Sequence, residues 1–325
     1  LGQEIFPAVD QGQFQLRLKA PAGTHLEHTE ELVRRVSQRV AARVGAENLQ
    51  VSLAFVGTQA PSYPINTIYL WTSGPEEGVI QFQLRPGVVP IERLKEWLRA
   101  DFAREFPEVR FSFEPSDVIN RVLSFGSSTP IEVAVSGPDF AASRQHAEKV
   151  LESLKQLPEL RDVQLGQTLD FPALAVEIDR VRAGELGATA EGVARSLVAG
   201  TSSSRFTSPN YWADPKSGIA YSVQIEVPRE RMAREEDLLN LPVSTSRGST
   251  LLRNLAQVRQ GTVVGEYDRY NMQRTISVQA NFSGSDLGRV ARRVRQQLEQ
   301  LGPAPPRVSV QLRGLLPPLQ EMRDG

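Results

Sequence analysis

The chain has 325 residues, no cysteine and a formal net charge of -1 at pH 7. Without cysteine it has no disulfides, thiolate metal sites or cysteine nucleophile. Its near-zero charge gives no electrostatic reason to expect nucleic acid or an anionic membrane surface as a partner. The length exceeds what one hydrophobic core usually organises, so we expect two or three domains. No run approaches the roughly 18 apolar residues of a membrane helix, and from the start at Leu1 we expect a segment of a longer protein.

Four stretches repeat one pattern: an extended segment, a turn rich in Gly, Pro or Ser, an amphipathic helix and a second extended segment. They begin near Phe14, Val79, Ile131 and Thr275. In the first, residues 14–19 alternate apolar and polar side chains, which is typical of a strand with one buried face. Thr24 is predicted to cap the helix that follows, with Glu27 completing a capping box. Asp139 and Ser285 are the predicted caps of the third and fourth helices.

Two such units in succession give β-α-β-β-α-β, the ferredoxin-like split unit, in which helices cover one face of an antiparallel sheet. The fold class is therefore predicted to be α+β, with two ferredoxin-like subdomains. A long insertion with its own helix at residues 190–198 interrupts the second. An insertion of this length normally has its own small core and contact surface. The predicted domains are 1–116; 117–172 with 271–325; and the small α+β insertion 173–270.

Residues with catalytic or metal-binding chemistry are scarce. His25 and His28 lie near the start of the first helix without a visible third ligand, so we interpret them, and His146 on a charged helix surface, as solvated polar residues. No Gly-x-Ser-x-Gly, Walker A or Gly-x-Gly-x-x-Gly pattern occurs in the contexts that such motifs require. Carboxylates are interspersed with arginines, as on a solvated surface. We predict no enzymatic activity, no cofactor and no bound metal.

Several ordered motifs resemble one protein family. The run FPAVDQGQF from Phe6, followed by APAGT from Ala20 and a helix, resembles the start of the second periplasmic loop of resistance-nodulation-division (RND) efflux permeases. The runs TPIEVAVSG from Thr129, VEIDRVRAGELG from Val176 and LLRNLAQV from Leu251 continue it in the same order. Each motif is loose, but together they cover essentially the whole chain.

The resemblance implies two porter subdomains, PC1 and PC2, each a split βαβ unit, and a docking subdomain, DC, inserted within PC2. The chain would then be the soluble periplasmic portion of a trimeric, proton-driven antiporter of the bacterial inner membrane. Its partners would be the remaining permease (transmembrane domain and first periplasmic loop), a periplasmic adaptor protein and an outer-membrane channel. Substrate would enter through a cleft between PC1 and PC2.

The resemblance also implies candidate site residues. Those matching the cleft lining are Gln15, Arg17, Leu53, Phe55, Thr58, Thr129, Ile131, Val133 and Gln164, and the docking surface matches Thr245, Ser246, Arg247 and Gly248. A long passage with few polar groups would suit hydrophobic or amphiphilic compounds. Copper or silver export is disfavoured, because Leu16 and Val122 stand where heavy-metal members have Met ligands.

Three alternatives stay open. The same family architecture would also serve lipid or hopanoid export, since both cargoes need an apolar cleft. The chain could instead be a free-standing periplasmic binding module, which the absence of flanking apolar runs in the parent gene would indicate. An enzyme would need a convergent acid, base or nucleophile. We also expect a hinge near residues 115–125 that gates the cleft, and a monomeric state for the isolated chain.

Overall fold

The computed structural model describes residues 10–58, 72–115, 124, 127–284 and 286–317. Its α-helices in these ranges are α1 (Leu26–Val44), α2 (Ile91–Glu105), α3 (Phe140–Leu154), α4 (Arg180–Glu185), α5 (Ala190–Thr201), α6 (Glu235–Leu239) and α7 (Leu287–Leu301). Its strands are β1 (Gln13–Lys19), β2 (Leu49–Val56), β3 (Glu77–Leu84), β4 (Arg110–Glu114), β5 (Ile131–Ser136), β6 (Leu160–Leu165), β7 (Phe171–Ile178), β8 (Asn210–Ala213), β9 (Ala220–Val223), β10 (Pro242–Thr245), β11 (Gly248–Leu251), β12 (Ala256–Val263), β13 (Asp268–Tyr270), β14 (Gln273–Phe282) and β15 (Ser309–Gly314). Within these ranges no helix has both the length and the apolar character needed to cross a membrane.

The chain divides into two compact units. The first consists of residues 1–171 and 263–325, and the second of residues 172–262. The insertion predicted over 173–270 overlaps the second unit, whereas residues 263–270 belong with the first. The further division of the first unit into two porter subdomains stays a prediction, although that unit contains two sheets with separate apolar cores.

The first sheet is antiparallel, with the strand order β2-β3-β1-β4 and elements that follow one another as β-α-β-β-α-β. Strand alternation explains which side chains meet the helices. Phe14, Leu16 and Leu18 of β1 are buried and share one core with Val36 of α1 and Leu98 of α2. Helices α1 and α2 therefore cover one face of this sheet, and the alternate residues of β1 point to the face that they leave uncovered.

The second sheet has the same plan but is interrupted in sequence. Strand β14 pairs with β5 on one side and with β6 and β13 on the other, and β15 pairs with the free side of β5. Ile131, Val133 and Val135 of β5 are fully buried against α3 and α7, with Val150 and Val294 in the same core. The α+β class predicted from the sequence is confirmed.

The second unit has a small core of its own. Helices α4 to α6 accompany three two-stranded pairs, β7 with β12, β8 with β9, and β10 with β11. Val193, Val243, Leu252 and Leu255 are fully buried in its centre. Because β7 pairs with β12, the two ends of this unit lie side by side.

The helix caps show where the sequence patterns were right and wrong. Asp139 caps α3 as predicted, since its carboxylate accepts hydrogen bonds from the amides of Ala141 and Ala142. The predicted capping box at Thr24 is wrong, because α1 begins after His25 and the Thr24 hydroxyl donates to the carbonyl of Pro21 at 2.7 Å. Helix α7 is capped by Asp286, and the predicted cap Ser285 lies outside the described residues.

The prediction that His146 is solvated is also wrong. It is only 6% exposed, and it packs on the covered side of α3. Burial, followed by the charge of Lys149, lowers its pKa below the usual value. The side chain is thus a neutral, buried part of the helix packing at neutral pH.

Candidate functional site: a polar surface between two sheets

The uncovered faces of the two sheets are polar, yet largely buried. We call these faces, with the loops that border them, the inter-sheet surface. Gln15, Arg17 and Lys19 alternate with the core residues of β1 and are 2%, 8% and 4% exposed. The Lys19 ammonium donates to the carbonyl of Gly166, which follows β6 of the second sheet, at 2.9 Å. Strand β1 is therefore buried on both faces, by helices on one and by the other half of the unit on the other.

One group of contacts on this surface is centred on Asp162 of β6. We call Asp162, Arg99, Ser112 and Asn281 the Asp162 cluster. Arg99 of α2 makes a bidentate pair with Asp162, with Nε–Oδ1 and Nη2–Oδ2 distances of 2.8 and 2.9 Å. Asn281 of β14 donates to both Asp162 Oδ2 at 2.8 Å and Ser112 Oγ at 3.1 Å. The cluster thus joins α2 and β4 of the first half to β6 and β14 of the second.

The Asp162 carboxylate accepts four hydrogen bonds, three of them at Oδ2. Besides Arg99 and Asn281, the amide of Phe113 donates to Oδ2 at 3.1 Å. Asp162 adopts a φ of +55°, in the left-handed region that Asp enters more readily than most residues. Burial opposes charge on Arg99, but the hydrogen bond and charge of Asp162 outweigh it and raise the pKa of the guanidinium. The bidentate geometry and the low exposure of both side chains make this a buried ion pair.

A second group lies around Glu77, the first residue of β3. We call Glu77, Lys19, Arg17, Ser73 and Glu266 the Glu77 cluster. Lys19 Nζ lies 2.5 Å from Glu77 Oε1, and the Ser73 hydroxyl donates to the same oxygen at 2.7 Å. Arg17 Nη1 is 3.5 Å from Glu77 Oε2. Glu266 comes from the segment that follows the second unit, so this cluster also spans both halves.

The pKa values of the two acids in this cluster are shifted in opposite directions. Burial alone would raise the pKa of Glu77, but attraction to Lys19 and Arg17 outweighs it, and the pKa lies below the usual value. Burial, then repulsion from Asp268 and Glu77, raises the pKa of Glu266 to about 7. Near neutral pH Glu77 is ionised while Glu266 is partly protonated. A charge change at this point of the surface therefore accompanies small changes in pH.

Further carboxylates line the rest of the surface. Glu114 of β4 accepts from Arg17 Nε at 2.5 Å and from Gln15 Nε2 at 2.6 Å. Glu132 of β5 accepts from the hydroxyl of Ser277 at 2.7 Å and from Arg313 Nη1 at 3.2 Å. Burial works against charge on Arg17, but Glu114 outweighs it and raises the pKa of the guanidinium. Around β1, β4 and β5 the surface is thus a charged network rather than an apolar passage.

One acid on the border of the surface is incompletely bonded. Glu76 is 1% exposed, and its Oε1 accepts a long 3.4 Å hydrogen bond from Thr168. Its Oε2 has no hydrogen-bond partner in the part of the chain that the structure describes. Asp268 nearby is bonded by Gln167 Nε2. In these described ranges no three His, Cys, Asp or Glu side chains are arranged to hold a metal ion together.

The predicted cleft residues fall into two groups. Gln15 and Arg17 lie on the inter-sheet surface, and the pairing of Leu53 with Gln81, and of Gln81 with Gln15, places Leu53 on the same face. Phe55, two residues on, shares that face and is half-buried. Thr58 is exposed after the end of β2.

The remaining predicted residues belong to the second half. Ile131 and Val133 do not lie on the inter-sheet surface; they are fully buried in the helix-side core, because alternation gives that face to Glu132. Thr129 is buried and donates to the carbonyl of Ile131 at 2.9 Å. Gln164 on β6 is half-buried, and its Oε1 has no hydrogen-bond partner within the described ranges. Val122 and most of the predicted hinge lie outside the described residues.

The predicted docking residues form the turn of a hairpin in the second unit. Thr245 pairs with Gly248, and Ser246 and Arg247 are the exposed residues between them. Arg247 Nη1 donates to the carbonyl of Glu185 at 3.0 Å, and the Ser246 amide donates to the carbonyl of Gly187 at 2.9 Å. The turn is thus fixed to the loop after α4. Its role as a docking surface stays a prediction.

Sequence reasoning missed most of the polar network. Lys19, Glu77, Glu114, Asp162 and Asn281 were not selected, because their charged or amide side-chain partners lie 58 or more residues away along the chain. One signal was present: Gln, Arg and Lys occupy every second position of β1, a strand whose other face is apolar. A strand with three such residues at successive alternate positions is a candidate for burial in a polar contact.

The sequence profile of the AcrB/AcrD/AcrF family matches residues 1–322. The chain belongs to this family. The resemblance to RND efflux permeases is thereby confirmed, and the chain is a periplasmic portion of such a permease. The family is one of inner-membrane transporters with periplasmic loops, in agreement with the predicted localisation.

Similar proteins of known description are resistance and efflux proteins. The cobalt-zinc-cadmium resistance protein CzcA of Cupriavidus metallidurans is 23% identical over 307 residues, which is 89% of this chain and 27% of that protein. The nickel and cobalt resistance protein CnrA of the same organism is 26% identical over 181 residues, 54% of this chain and 16% of that protein. The chain spans about a quarter of the length of CzcA.

A solved structure supports the fold. A crystal structure of a heavy metal efflux pump superposes with a TM-score of 0.83 at 22% identity, over 99% of this chain and 33% of the pump. A second crystal form of a heavy metal efflux pump gives a TM-score of 0.82 at 21% identity. At these identities the likeness establishes the fold and no more.

Proposed function

We propose that this chain forms part of the cargo route of an RND efflux transporter that exports divalent transition-metal cations. The observation that carries the proposal is an excess of carboxylates. The inter-sheet surface and its two clusters carry Glu76, Glu77, Glu114, Glu132, Asp162, Glu266 and Asp268 against Arg17, Lys19, Arg99 and Arg313. A surface with more acids than bases attracts cations and repels anions.

The expected amphiphilic cargo is not supported by these findings. An amphiphile recognised by area needs an apolar lining, whereas Gln15 and Arg17, two predicted lining residues, belong to an ion-pair network. The relatives CzcA and CnrA are named as resistance proteins for cobalt, zinc, cadmium and nickel. These ions accept nitrogen and oxygen ligands and do not need thioethers. The prediction against copper or silver, based on missing methionines, is therefore compatible with metal export.

The wider architecture is proposed on the same basis. The two sheets of the first unit would be the porter subdomains PC1 and PC2, each ferredoxin-like, and cargo would pass between them. The second unit would be the docking subdomain, with the turn Thr245–Gly248 facing its partners. The parent protein would be a proton-driven homotrimer that works with a periplasmic adaptor and an outer-membrane channel, without catalysing a covalent reaction.

The identity of the cargo can be tested by asking whether the intact parent permease restores metal resistance to a strain that lacks it. A strain that lacks it should become sensitive to cobalt, zinc or cadmium, and the wild-type gene should restore growth. In the restored strain, Glu132→Gln should reduce metal resistance, because it removes a carboxylate from the inter-sheet surface. The control Glu191→Gln, which changes an exposed acid of the second unit, should leave resistance unchanged. Unchanged metal sensitivity in the deletion strain, together with lost dye or detergent resistance, would refute metal export.

A second candidate, export of an amphiphile such as a drug or lipid, is favoured by one observation. Val51 and Leu53 on the edge strand β2 are 54% and 47% exposed and lie on the uncovered face of the first sheet. Altered membrane lipids in the same deletion strain, with normal metal tolerance, would support this alternative. A parent gene without apolar runs of about 20 residues would instead indicate a free-standing binding module.

A further inference from the structure

A groove on the outer side of the first sheet's helices is lined by arginines and aromatic rings. Arg35, Arg39 and Arg43 follow one another at four-residue intervals on α1 and therefore share one face of that helix. Trp97 of α2 and Phe106 just after it form the opposite wall of a cavity of about 560 Å³. We call this the arginine groove. It lies on the helix side of the sheet and is separate from the inter-sheet surface.

The middle arginine is already paired within the protein. Arg39 makes a bidentate pair with Asp101, with Nε–Oδ2 and Nη2–Oδ1 distances of 2.8 and 2.6 Å. The other carboxylate at the groove, Glu105, lies 3.5 Å from Arg39 and 3.3 Å from Arg104. Both acids are thus engaged by Arg39 and Arg104. Arg35 also borders a neighbouring cavity lined by three more acids, Glu27, Glu31 and Glu108, none of which forms an ion pair with it among the described residues.

Arg35 and Arg43 are held without an ion-pair partner in the described part of the chain. The guanidinium carbon of Arg35 lies 4.9 Å from the centre of the Phe106 ring, and that of Arg43 lies 4.2 Å from the centre of the Trp97 ring. Their neighbour Arg34 bonds to both Glu30 and Glu31. On the same helix, Arg34 is thus paired with two carboxylates, whereas Arg35 and Arg43 lie over aromatic rings.

This placement prepares the two guanidinium groups for a ligand. Stacking on an aromatic face restricts the side chain but uses none of its N–H donors, which stay available for bidentate bonds to a carboxylate. Eight residues separate Arg35 from Arg43, so their attachment points are about 12 Å apart along the helix axis. A single small anion cannot bridge that distance, whereas two acidic side chains of one peptide segment can.

We propose that the arginine groove docks an acidic segment of a partner protein. Two carboxylates of that segment, spaced by about two helical turns, would be received by Arg35 and Arg43. The apolar parts of the segment would cover Trp97. The choice of a protein segment follows from charge complementarity and from the spacing of the two stacked arginines, and it does not depend on which cargo is transported.

Fluorescence anisotropy with a designed probe tests the proposal on the 325-residue chain. The probe is a labelled alanine-based helical peptide with two glutamates about eight residues apart on one face. Its matched control peptide carries glutamine at both positions. The wild-type chain should bind the glutamate peptide at least tenfold more tightly than the glutamine peptide. Substituting both arginines, R35Q with R43Q, should weaken binding about tenfold.

The matched control removes the same charge elsewhere. R34Q with R195Q removes two arginines that are paired with Glu30, Glu31 and Glu191, and it should change the affinity less than twofold. An equal loss in both double variants, no preference for the glutamate peptide, or displacement by low-millimolar inorganic phosphate would each overturn the proposal. If R35Q with R43Q loses its helical circular dichroism, R35K with R43K replaces it; a smaller but definite loss is expected, because lysine keeps the charge without the planar fork.

Discussion

The Asp162 cluster and the Glu77 cluster both join the two halves of the first unit, but their charges are balanced differently. Asp162 faces one cation, Arg99, and is also bonded by Asn281 and the Phe113 amide. Glu77 faces Lys19 and Arg17, while Glu266 nearby is destabilised as an anion by burial and by neighbouring acids. In the first contact, the carboxylate thus accepts four hydrogen bonds. The second contains an acid that titrates close to neutral pH.

This difference indicates separate roles for the two contacts. A buried carboxylate that accepts four hydrogen bonds loses several of them in any alternative arrangement, so the Asp162 cluster should behave as a permanent connection. In the Glu77 cluster, ionisation of Glu266 adds negative charge beside Asp268 and Glu77, which weakens the contact as pH rises. The same surface therefore combines a densely hydrogen-bonded contact with one that responds to pH near neutrality.

The largest expected effect is at the Asp162 cluster. Asp162→Ala removes the bidentate partner of the largely buried Arg99 guanidinium, which keeps its pair with Glu96 on the same helix at 2.6 Å. We expect the free energy of unfolding to fall by about 3 kcal/mol in urea denaturation. The matched control is Asp170→Ala, which breaks the bidentate but half-exposed pair with Arg144. It should cost less than about 1 kcal/mol. Equal losses in the two variants would show that burial does not distinguish these pairs.

Lys19→Met should have an intermediate effect. It removes the 2.5 Å contact to Glu77 and the bond to Gly166, so we expect a loss of about 2 kcal/mol at pH 8. The lowered pKa of Glu77 means that its ion pair stabilises the fold above the ordinary value of 4.5 and is lost as pH falls below it. The difference between wild type and variant should therefore shrink in acid. Lys155→Met, at an exposed pair with Glu152, is the control and should be nearly neutral.

The smallest effect is expected from Glu266. Its pKa is raised from 4.5 to about 7 in the folded state, so the folded protein keeps a proton that the unfolded chain releases. Stability should fall as pH rises through this window and level off above it. Glu266→Gln should remove that component, raising stability at pH 8 by roughly 1 kcal/mol after allowance for solvent screening, with little change at pH 4.5.

Thermal unfolding of both proteins across this pH range measures the difference. Because other acids titrate in the same window, only the difference between wild type and Glu266→Gln carries the prediction. A difference in stability between the two proteins that is constant with pH would mean that the pKa of Glu266 is not raised in the folded state.

The fold was largely predictable because it repeats. Period-2 and period-3.6 patterns located the repeated strands and helices, and Asp139 marked the start of α3 correctly. Thr24 was misleading, since a threonine before a helix also occurs in turns, where its hydroxyl bonds locally. His146 was misread because charged neighbours on a helix do not show which way one side chain faces.

The site was less predictable, because alternation identifies two faces of a strand without showing what covers each. Gln15 and Arg17, predicted to line the cleft, lie on the uncovered face, whereas Ile131 and Val133 belong to the helix-side core. The lining of a cleft by any of these residues stays a prediction. The partners Asp162 and Glu77 depend on how two sheets meet, which no local pattern in one strand specifies. The polar and charged side chains at alternate positions of β1 were the usable signal. Only the structure shows which acids pair with them.

The pairing of β7 with β12 has a consequence for how the chain folds. Strands β5 and β14 are neighbours in one sheet, yet the whole second unit separates them in sequence. Once that unit has folded, its adjacent ends replace a long flexible loop by a short connection, which lowers the entropy cost of joining β5 to β14. Pulse-labelled hydrogen exchange should then protect Val193 and Val243 before Val133 and Val278, and the reverse order would contradict this. The segment that lengthens the sequence thus shortens the folding path of the sheet that it interrupts.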